Sequence, residues 1–106
     1  MTGLNEVGFL ALSGALVAVG LFGVLTRRNF VLLLIAIEIA MNAAILNFVY
    51  FAAFSPSPPA GLAGQSAAVV LVGFAATEVA VGLAIVLALN RAKGTINVAE
   101  ATELRS

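Results

Sequence analysis

The chain has 106 residues, of which 62% are hydrophobic and 9% are charged, and its mean hydropathy is +1.15. Soluble domains are about 45–50% apolar and about 25% charged, and a chain this short cannot bury so much apolar surface, so a soluble globular enzyme is excluded. Five acidic and five basic residues balance, and cysteine and histidine are absent, so nothing points to nucleic acid, disulfides, zinc or haem.

Three apolar segments follow one another along the chain, at residues 4–25, 31–54 and 67–89. Each has the roughly 20 residues that a helix needs to cross a hydrocarbon core of about 30 Å. Only helices satisfy their own backbone groups in lipid when so few segments are present. We therefore predict an all-α, multi-pass integral membrane protein, with three transmembrane helices in one domain and a polar tail over residues 90–106.

Basic residues occur on one side of the predicted membrane only. Arg27 and Arg28 separate the first two segments, and Arg91 and Lys93 follow the third, whereas the Pro-rich stretch Ser55–Gly61 has no basic residue. The positive-inside rule places the N-terminus outside and the C-terminus in the cytoplasm. The Pro-rich stretch is predicted to be extended and to end the second helix.

Two carboxylates lie inside predicted spans, Glu38 in the second and Glu78 in the third, with no basic residue in either span. An ionised carboxylate at mid-bilayer costs several kcal/mol. At a helical rise of about 1.5 Å per residue, Glu38 lies about 13 Å from Asn29 and Glu78 about 20 Å from Arg91. If the helix ends are level, the depths differ by about 7 Å, which one or two waters could bridge.

The isolated carboxylates lead to a functional hypothesis. Burial disfavours the charged form of a carboxyl group and brings its proton exchange closer to neutral pH. Intramembrane acids commonly carry protons in pumps, so we interpret Glu38 and Glu78 as two stations of a lateral proton relay. The alternative is that both stay protonated and donate hydrogen bonds between helices.

Other polar residues of the sequence could assist the two carboxylates or stabilise the packing and orientation of the helices. Asn42 lies one turn after Glu38 on the same face, where its amide could donate to Glu38 or hold a water, or could instead bond another helix. Asn47 falls on the opposite face and is interpreted as a packing contact. Arg27 and Arg28 are topology signals or, alternatively, contacts to a partner protein or a lipid head group.

Small residues on the third segment predict close helix packing inside a larger assembly. They recur at every fourth position, a spacing that lets helix backbones approach in lipid. The row consists of Ala76, Ala80, Ala84 and Ala88.

Several motifs resemble subunit K of the proton-pumping NADH:quinone oxidoreductases (respiratory complex I). They are Gly20–Asn29, Ile37–Ala43 and Ala76–Ala84, with Ile96–Val98 and Glu103–Arg105 in the tail. The match covers nearly the whole chain in register. The Pro-rich loop departs from what is expected of the family, a change that an outer loop tolerates.

The resemblance implies a membrane-arm subunit that packs among other membrane-arm subunits, including an antiporter-like one, in the lipid bilayer. Glu38 and Glu78 would belong to the charged residues that link quinone reduction to proton translocation, and Arg27 and Arg28 would lie near the cytoplasmic surface. The flavin, the iron–sulfur clusters and the quinone site are expected in other subunits, so this chain would hold no cofactor. The expected location is a prokaryotic plasma (inner) membrane, with a thylakoid as the alternative.

Other functions remain open from the sequence. The small subunit of multisubunit sodium/proton antiporters has the same number of spans but usually lacks a Glu at position 38. Relatives in ferredoxin-linked, coenzyme F420-linked and hydrogenase-linked complexes share the architecture. A scaffold or assembly subunit would tolerate neutral replacements of both Glu38 and Glu78.

Overall fold

A computed structural model describes residues 3–94 and 96–101, and it is helical in nearly all of them. The helices are α1 (Gly3–Thr26), α2 (Phe30–Ala53), α3 (Pro58–Lys93) and the short α4 (Val98–Ala101). The first three are long and apolar enough to cross a membrane. The predicted class, an all-α protein with three transmembrane helices, is confirmed.

Helix α2 begins where the sequence provides a capping side chain. The Asn29 Oδ1 accepts hydrogen bonds from the backbone N–H groups of Val31, at 2.9 Å, and of Leu32, at 3.4 Å. An Asn at this position satisfies N–H groups that have no partner inside the helix. The connection from α1 is therefore short, and its two arginines lie just before the cap.

Helix α3 begins at Pro58, nine residues before the predicted start of the third span. The prediction of an extended chain through Gly61 is therefore wrong for its second half. Prolines suit the first turn of a helix, where their missing N–H groups need no partner. The Gly61 N–H donates to the Ser57 carbonyl at 2.9 Å and closes that turn. At its other end α3 stops at Gly94, whose φ of 66° is left-handed.

The helices form one flat layer with α2 in the middle, packed against both α1 and α3. The Cα atoms span 57 × 24 × 16 Å, the dimensions of a single row of helices. Only 11% of the most apolar window of each long helix is buried inside the chain. The remaining apolar surface is available to lipid and to partner chains.

Eight of the ten buried residues on the long helices recur at every seventh position, and most of these are small; Ala52 and Val86 fall outside this spacing. Seven residues make two turns of a slightly underwound helix, so such residues stay on one seam and let neighbouring backbones approach. The seam residues are Ser13 and Gly20 on α1, Ala36, Ala43 and Tyr50 on α2, and Gly61, Ala68 and Ala75 on α3.

The row of alanines predicted to mediate packing lies outside this seam. All four of them, from Ala76 to Ala88, are exposed in the chain. A row spaced by four residues turns by about 40° per step around the helix axis, so it leaves an interface that residues spaced by seven follow. Within the chain, the seam and not this row brings α3 against α2.

Tyr50 is the large exception on the seam, with only 3% of its surface exposed. Its ring centroid lies 4.2 Å from that of Phe9 on α1 and 5.1 Å from that of Phe54 at the end of α2. Aromatic rings at these separations stabilise one another. This cluster fastens α1 to the end of α2 that precedes the Pro-rich turn.

Replacing Gly20 by Ala tests the close approach of α1 to α2. A Cβ at Gly20 would lie 2.7 Å from the Ala40 Cβ and 2.8 Å from the Ala36 carbonyl oxygen. Because a backbone atom cannot move aside cheaply, we expect Gly20→Ala to destabilise the protein by about 1–3 kcal/mol. Thermal unfolding in a mild detergent measures the effect.

Gly14→Ala is the matched control on the same helix. A Cβ there meets nothing within 4 Å, and Ala is the better helix former, so its unfolding temperature should be unchanged or slightly raised. Equal losses in the two variants would contradict the proposed contact.

Candidate functional site

Glu38 lies in a groove between α2 and α3 with a volume of about 310 Å³. Its side chain is partly buried, and Oε1 is fully buried with no hydrogen-bond partner among the described residues. The groove is otherwise apolar and is lined by Val31, Leu34, Ile35 and Ile39 of α2 and by Val79 and Leu83 of α3.

Glu78 lies in a second groove, of about 500 Å³, and is exposed in the chain. The neighbouring Thr77 hydroxyl donates to the Gly73 carbonyl at 2.9 Å, within its own helix, as Thr side chains commonly do. Neither Glu78 nor Glu38 forms an ion pair with a lysine or arginine in the described part of the chain. Leu34 of α2 also lines this second groove, together with Phe74, Val81, Gly82 and Ile85 of α3.

The contacts between α2 and α3 fix the relative heights of the two carboxylates. A Cβ at Gly82 would overlap the end of the Leu34 side chain, and a Cβ at Gly64 would lie 2.8 Å from the Ala52 Cβ. The helices are antiparallel, and both pairs have the same sum of residue numbers, so one register holds along the interface. Glu38 lies four residues after Leu34 and Glu78 four residues before Gly82, which puts both in that register.

Glu38 and Glu78 are therefore level, and the predicted depth difference of about 7 Å is wrong. That estimate took the helix ends as level. In the observed register, Phe30 at the start of α2 lies opposite Val86, and α3 continues to Lys93. This overhang of α3 accounts for the extra distance between Glu78 and Arg91.

Although they are level, the carboxylates open into different grooves, and Leu34 is the one residue that lines both. A step of four residues turns the direction of a side chain by about 40° around the helix axis. Viewed from one end of the antiparallel pair, the step from Leu34 to Glu38 and the step from Gly82 to Glu78 turn in the same sense. Starting from the facing pair Leu34 and Gly82, this rotation carries Glu38 and Glu78 to opposite sides of the helix layer. The contact between Leu34 and Gly82 thus occupies the place where water was expected to bridge the two carboxylates.

The two asparagines of α2 have different surroundings. Asn42 is exposed, and no hydrogen bond joins it to the Glu38 Oε1. Asn47 Nδ2 donates to the Ser13 Oγ at 2.9 Å, and that buried hydroxyl donates to the Ala43 carbonyl at 3.4 Å. Asn47 thus links α1 to α2, as predicted for a packing contact.

Arg27 and Arg28 are both exposed at the end of α1. The Arg28 carbonyl accepts a hydrogen bond from the Val98 N–H at 2.7 Å, and the Phe30 N–H donates to the Ile96 carbonyl at 2.9 Å. These bonds hold the tail against the loop after α1.

Sequence reasoning missed this attachment of the tail, which includes an antiparallel bridge between Asn29 and Asn97. A signal was present, since each asparagine directly precedes an apolar helix start, and the Asn97 Oδ1 accepts from the Ala99 N–H at 2.9 Å. The tail motif Glu103–Arg105 lies outside the described residues.

Side chains that bind metal ions are not clustered in the part of the chain that the structure describes. The sequence has neither cysteine nor histidine. In residues 3–94 and 96–101, no three acidic side chains come close enough to hold an ion. Helices α2 and α3 each contain one carboxylate, Glu38 and Glu78 respectively.

Comparison with known proteins identifies the family of this chain. The family model described as NADH-ubiquinone/plastoquinone oxidoreductase chain 4L matches residues 8–106. The chain belongs to this chain 4L family. The match includes all of α2 and α3, and therefore both carboxylate grooves.

Several curated relatives of this chain are named as subunit K of NADH-quinone oxidoreductase. NADH-quinone oxidoreductase subunit K 1 of Syntrophobacter fumaroxidans is 44% identical over 92% of this chain and 93% of its own length. Subunit K of Deinococcus radiodurans is 43% identical over 92% of this chain and 90% of its own. Subunit K of Bacillus anthracis is 42% identical over 99% of both chains.

The register of α2 against α3 can be tested with introduced cysteines, because the chain has none of its own. A disulfide needs Cβ atoms about 3.5–4.5 Å apart. A Cβ at position 64 would lie 2.8 Å from the Ala52 Cβ, so a small outward shift of α3 brings the pair into this range. We expect the pair Ala52→Cys and Gly64→Cys to lose both free thiols on mild oxidation, as measured by maleimide labelling and mass spectrometry.

The control pair combines Ala52→Cys with Leu62→Cys. Leu62 is 67% exposed and faces away from α2, so its thiol should remain free. Equally rapid oxidation of the two pairs would contradict the register and, with it, the level placement of Glu38 and Glu78.

Proposed function

We propose that this chain is a membrane subunit of a proton-translocating NADH-quinone oxidoreductase in which Glu38 and Glu78 relay protons laterally. The names of its relatives support the complex and favour it over a sodium/proton antiporter. The observation that carries the relay is the level placement of two carboxylates without ion-pair partners within apolar helices.

The cost of such carboxylates supports a role beyond packing. A polar side chain at mid-membrane is unfavourable even when it is neutral, and an interhelical hydrogen bond returns only about 1–2 kcal/mol. In the purely structural alternative, each acid would donate such a bond. The Glu38 Oε1 has no partner in the described chain, and Glu78 faces outward from α3.

Two carboxyl groups can exchange one proton without adding charge to the membrane. When a protonated Glu38 releases its proton and an ionised Glu78 accepts one, directly or through water, the pair keeps a single negative charge. The cost of placing a charge in a low-dielectric medium then changes little along the step. A lone acid would alternate between a charged and a neutral state, which is less favourable.

The rest of the complex supplies the redox chemistry in this proposal. The flavin, the iron–sulfur clusters and the quinone site belong to other subunits, and an antiporter-like subunit is among the neighbours of this chain. Asn42 supports Glu38 through a water or a partner group, since no direct bond joins them. The membrane is a prokaryotic plasma membrane.

The basic residues set the orientation in the proposal. Arg27 and Arg28 lie on the cytoplasmic side with the tail, and the Pro-rich turn lies outside, in keeping with the positive-inside rule. The hydrogen bonds between the tail and the loop after α1 support a shared side, because residues 96–98 contact residues 28–30.

Replacing each carboxylate by its neutral amide tests the relay. Glu38→Gln and Glu78→Gln keep the size of the side chain but cannot take up a proton. In membrane vesicles with normal amounts of assembled complex, NADH-driven proton pumping should fall at least about ten-fold for either variant. A pH-sensitive dye reports pumping, and quinone reduction is measured in parallel.

Glu6→Gln is the control, because Glu6 is exposed in the first turn of α1, away from both grooves. It should pump as the unmodified complex does. Pumping at the unmodified level in an assembled double variant, Glu38→Gln with Glu78→Gln, would eliminate the relay.

Orientation can be tested by labelling single cysteines. In intact cells, a membrane-impermeant maleimide should label Ser57→Cys in the turn before α3 and leave Lys93→Cys unlabelled. Inverted vesicles should give the reverse pattern. Labelling of Lys93→Cys but not of Ser57→Cys in intact cells would show the orientation to be wrong.

A further inference from the structure

We propose that Leu34, seated on Gly82, is the hydrophobic gate between the grooves of Glu38 and Glu78. The inference rests on the proposed relay and adds a residue to it. Leu34 has no polar atom, so it handles no proton itself. Its role is to determine whether water can connect the two carboxyl groups.

The first argument is the position of Leu34. It lines the groove that holds Glu38 and the groove that holds Glu78, and no other residue in the described part of the chain lines both. A proton that passes between the carboxylates by the short route across the α2–α3 interface must pass this side chain. A constriction lined by apolar groups excludes water, and without water protons do not cross it.

The second argument is the seat of Leu34 on α3. A Cβ at Gly82 would overlap the Leu34 Cδ2 and lie 3.0 Å from Cδ1 and 3.3 Å from Cγ. The side chain therefore rests directly on the helix backbone, in a space that only glycine leaves free. Residue 82 lies one turn from Glu78, and residue 34 lies one turn from Glu38, so the barrier adjoins both acids.

The third argument is that the gate can move. Leu34 is only partly buried, and both grooves beside it have empty volume. Side chains with such room change rotamer rapidly compared with enzyme turnover. A rotation of Leu34 away from Gly82 would join the grooves and admit water between the carboxyl groups, and its return would separate them.

The test compares three variants of Leu34 in the assembled complex. Leu34→Ala removes the barrier, Leu34→Val shortens it with less effect on packing, and Leu34→Met preserves its length and apolar character. We expect Leu34→Ala to lower the protons pumped per NADH oxidised at least about two-fold, because the two acids then exchange protons without gating. Leu34→Val should lie between Leu34→Ala and the unmodified complex, and Leu34→Met should restore the ratio.

Leu83→Ala is the matched control, because Leu83 lines the Glu38 groove alone and the substitution removes the same atoms. It should leave the ratio of protons to NADH unchanged. A purely structural role of Leu34 would change the amount of complex or its rate without changing this ratio. If Leu34→Ala does not assemble, Leu34→Val and Leu34→Met decide by the same ratio.

The outcomes separate the gate from the relay. An unchanged ratio in Leu34→Ala and Leu34→Val, together with loss of pumping in Glu38→Gln and Glu78→Gln, would overturn the gate and leave the relay in place. Normal pumping in the two Glu variants would overturn both. An equal loss in Leu83→Ala would show that groove volume matters and that Leu34 has no special position.

Discussion

The close approach of α2 to its two neighbours is the constraint on which the rest of the structure depends. It is possible because every seam position except Tyr50 carries glycine, alanine or serine, so the helix backbones lie close together with little side-chain volume between them. In lipid, association has no hydrophobic drive of the kind found in water, and close packing takes its place. The same contacts fix a single antiparallel register between α2 and α3, and this register makes Glu38 level with Glu78.

A flat layer has a consequence that a compact bundle would not have. With three helices side by side, the interface between α2 and α3 is open on both sides, and the rotation of the helices sends Glu38 to one side and Glu78 to the other. Each carboxylate can therefore face a different neighbouring subunit. In the proposed relay, this chain passes protons between two partner surfaces through the thickness of one helix pair, at the place where Leu34 contacts Gly82.

Polar contacts within the layer fasten the helices at separate heights. Asn47 bonds to Ser13 between α1 and α2, and the backbone around Asn29 pairs with the backbone around Asn97 at the loop after α1. These bonds use the Asn47 Nδ2 and the Ser13 hydroxyl, and they leave the two carboxylates without a hydrogen-bond partner among the described residues. The distribution separates residues that hold the helices together from residues that remain free for proton exchange.

The amino-acid sequence is enough to predict the three helices, the membrane location and the two residues of interest, Glu38 and Glu78. These conclusions rest on hydropathy and on the cost of a charge in lipid, both of which act on each residue within its own segment. The early start of α3 could also have been read from Pro58 and Pro59, had first-turn prolines been weighed above their tendency to end helices.

The arrangement of the three segments against one another becomes known only from the folded chain. The height of Glu78 relative to Glu38 depended on the overhang of α3, and their separation into two grooves depended on which positions form the seam. Small residues also occur on faces that remain exposed, as Ala76 does, so composition could not identify the seam. The register and the rotation of the helices arise from contacts between two helices, so they cannot be predicted from the sequence of one segment alone.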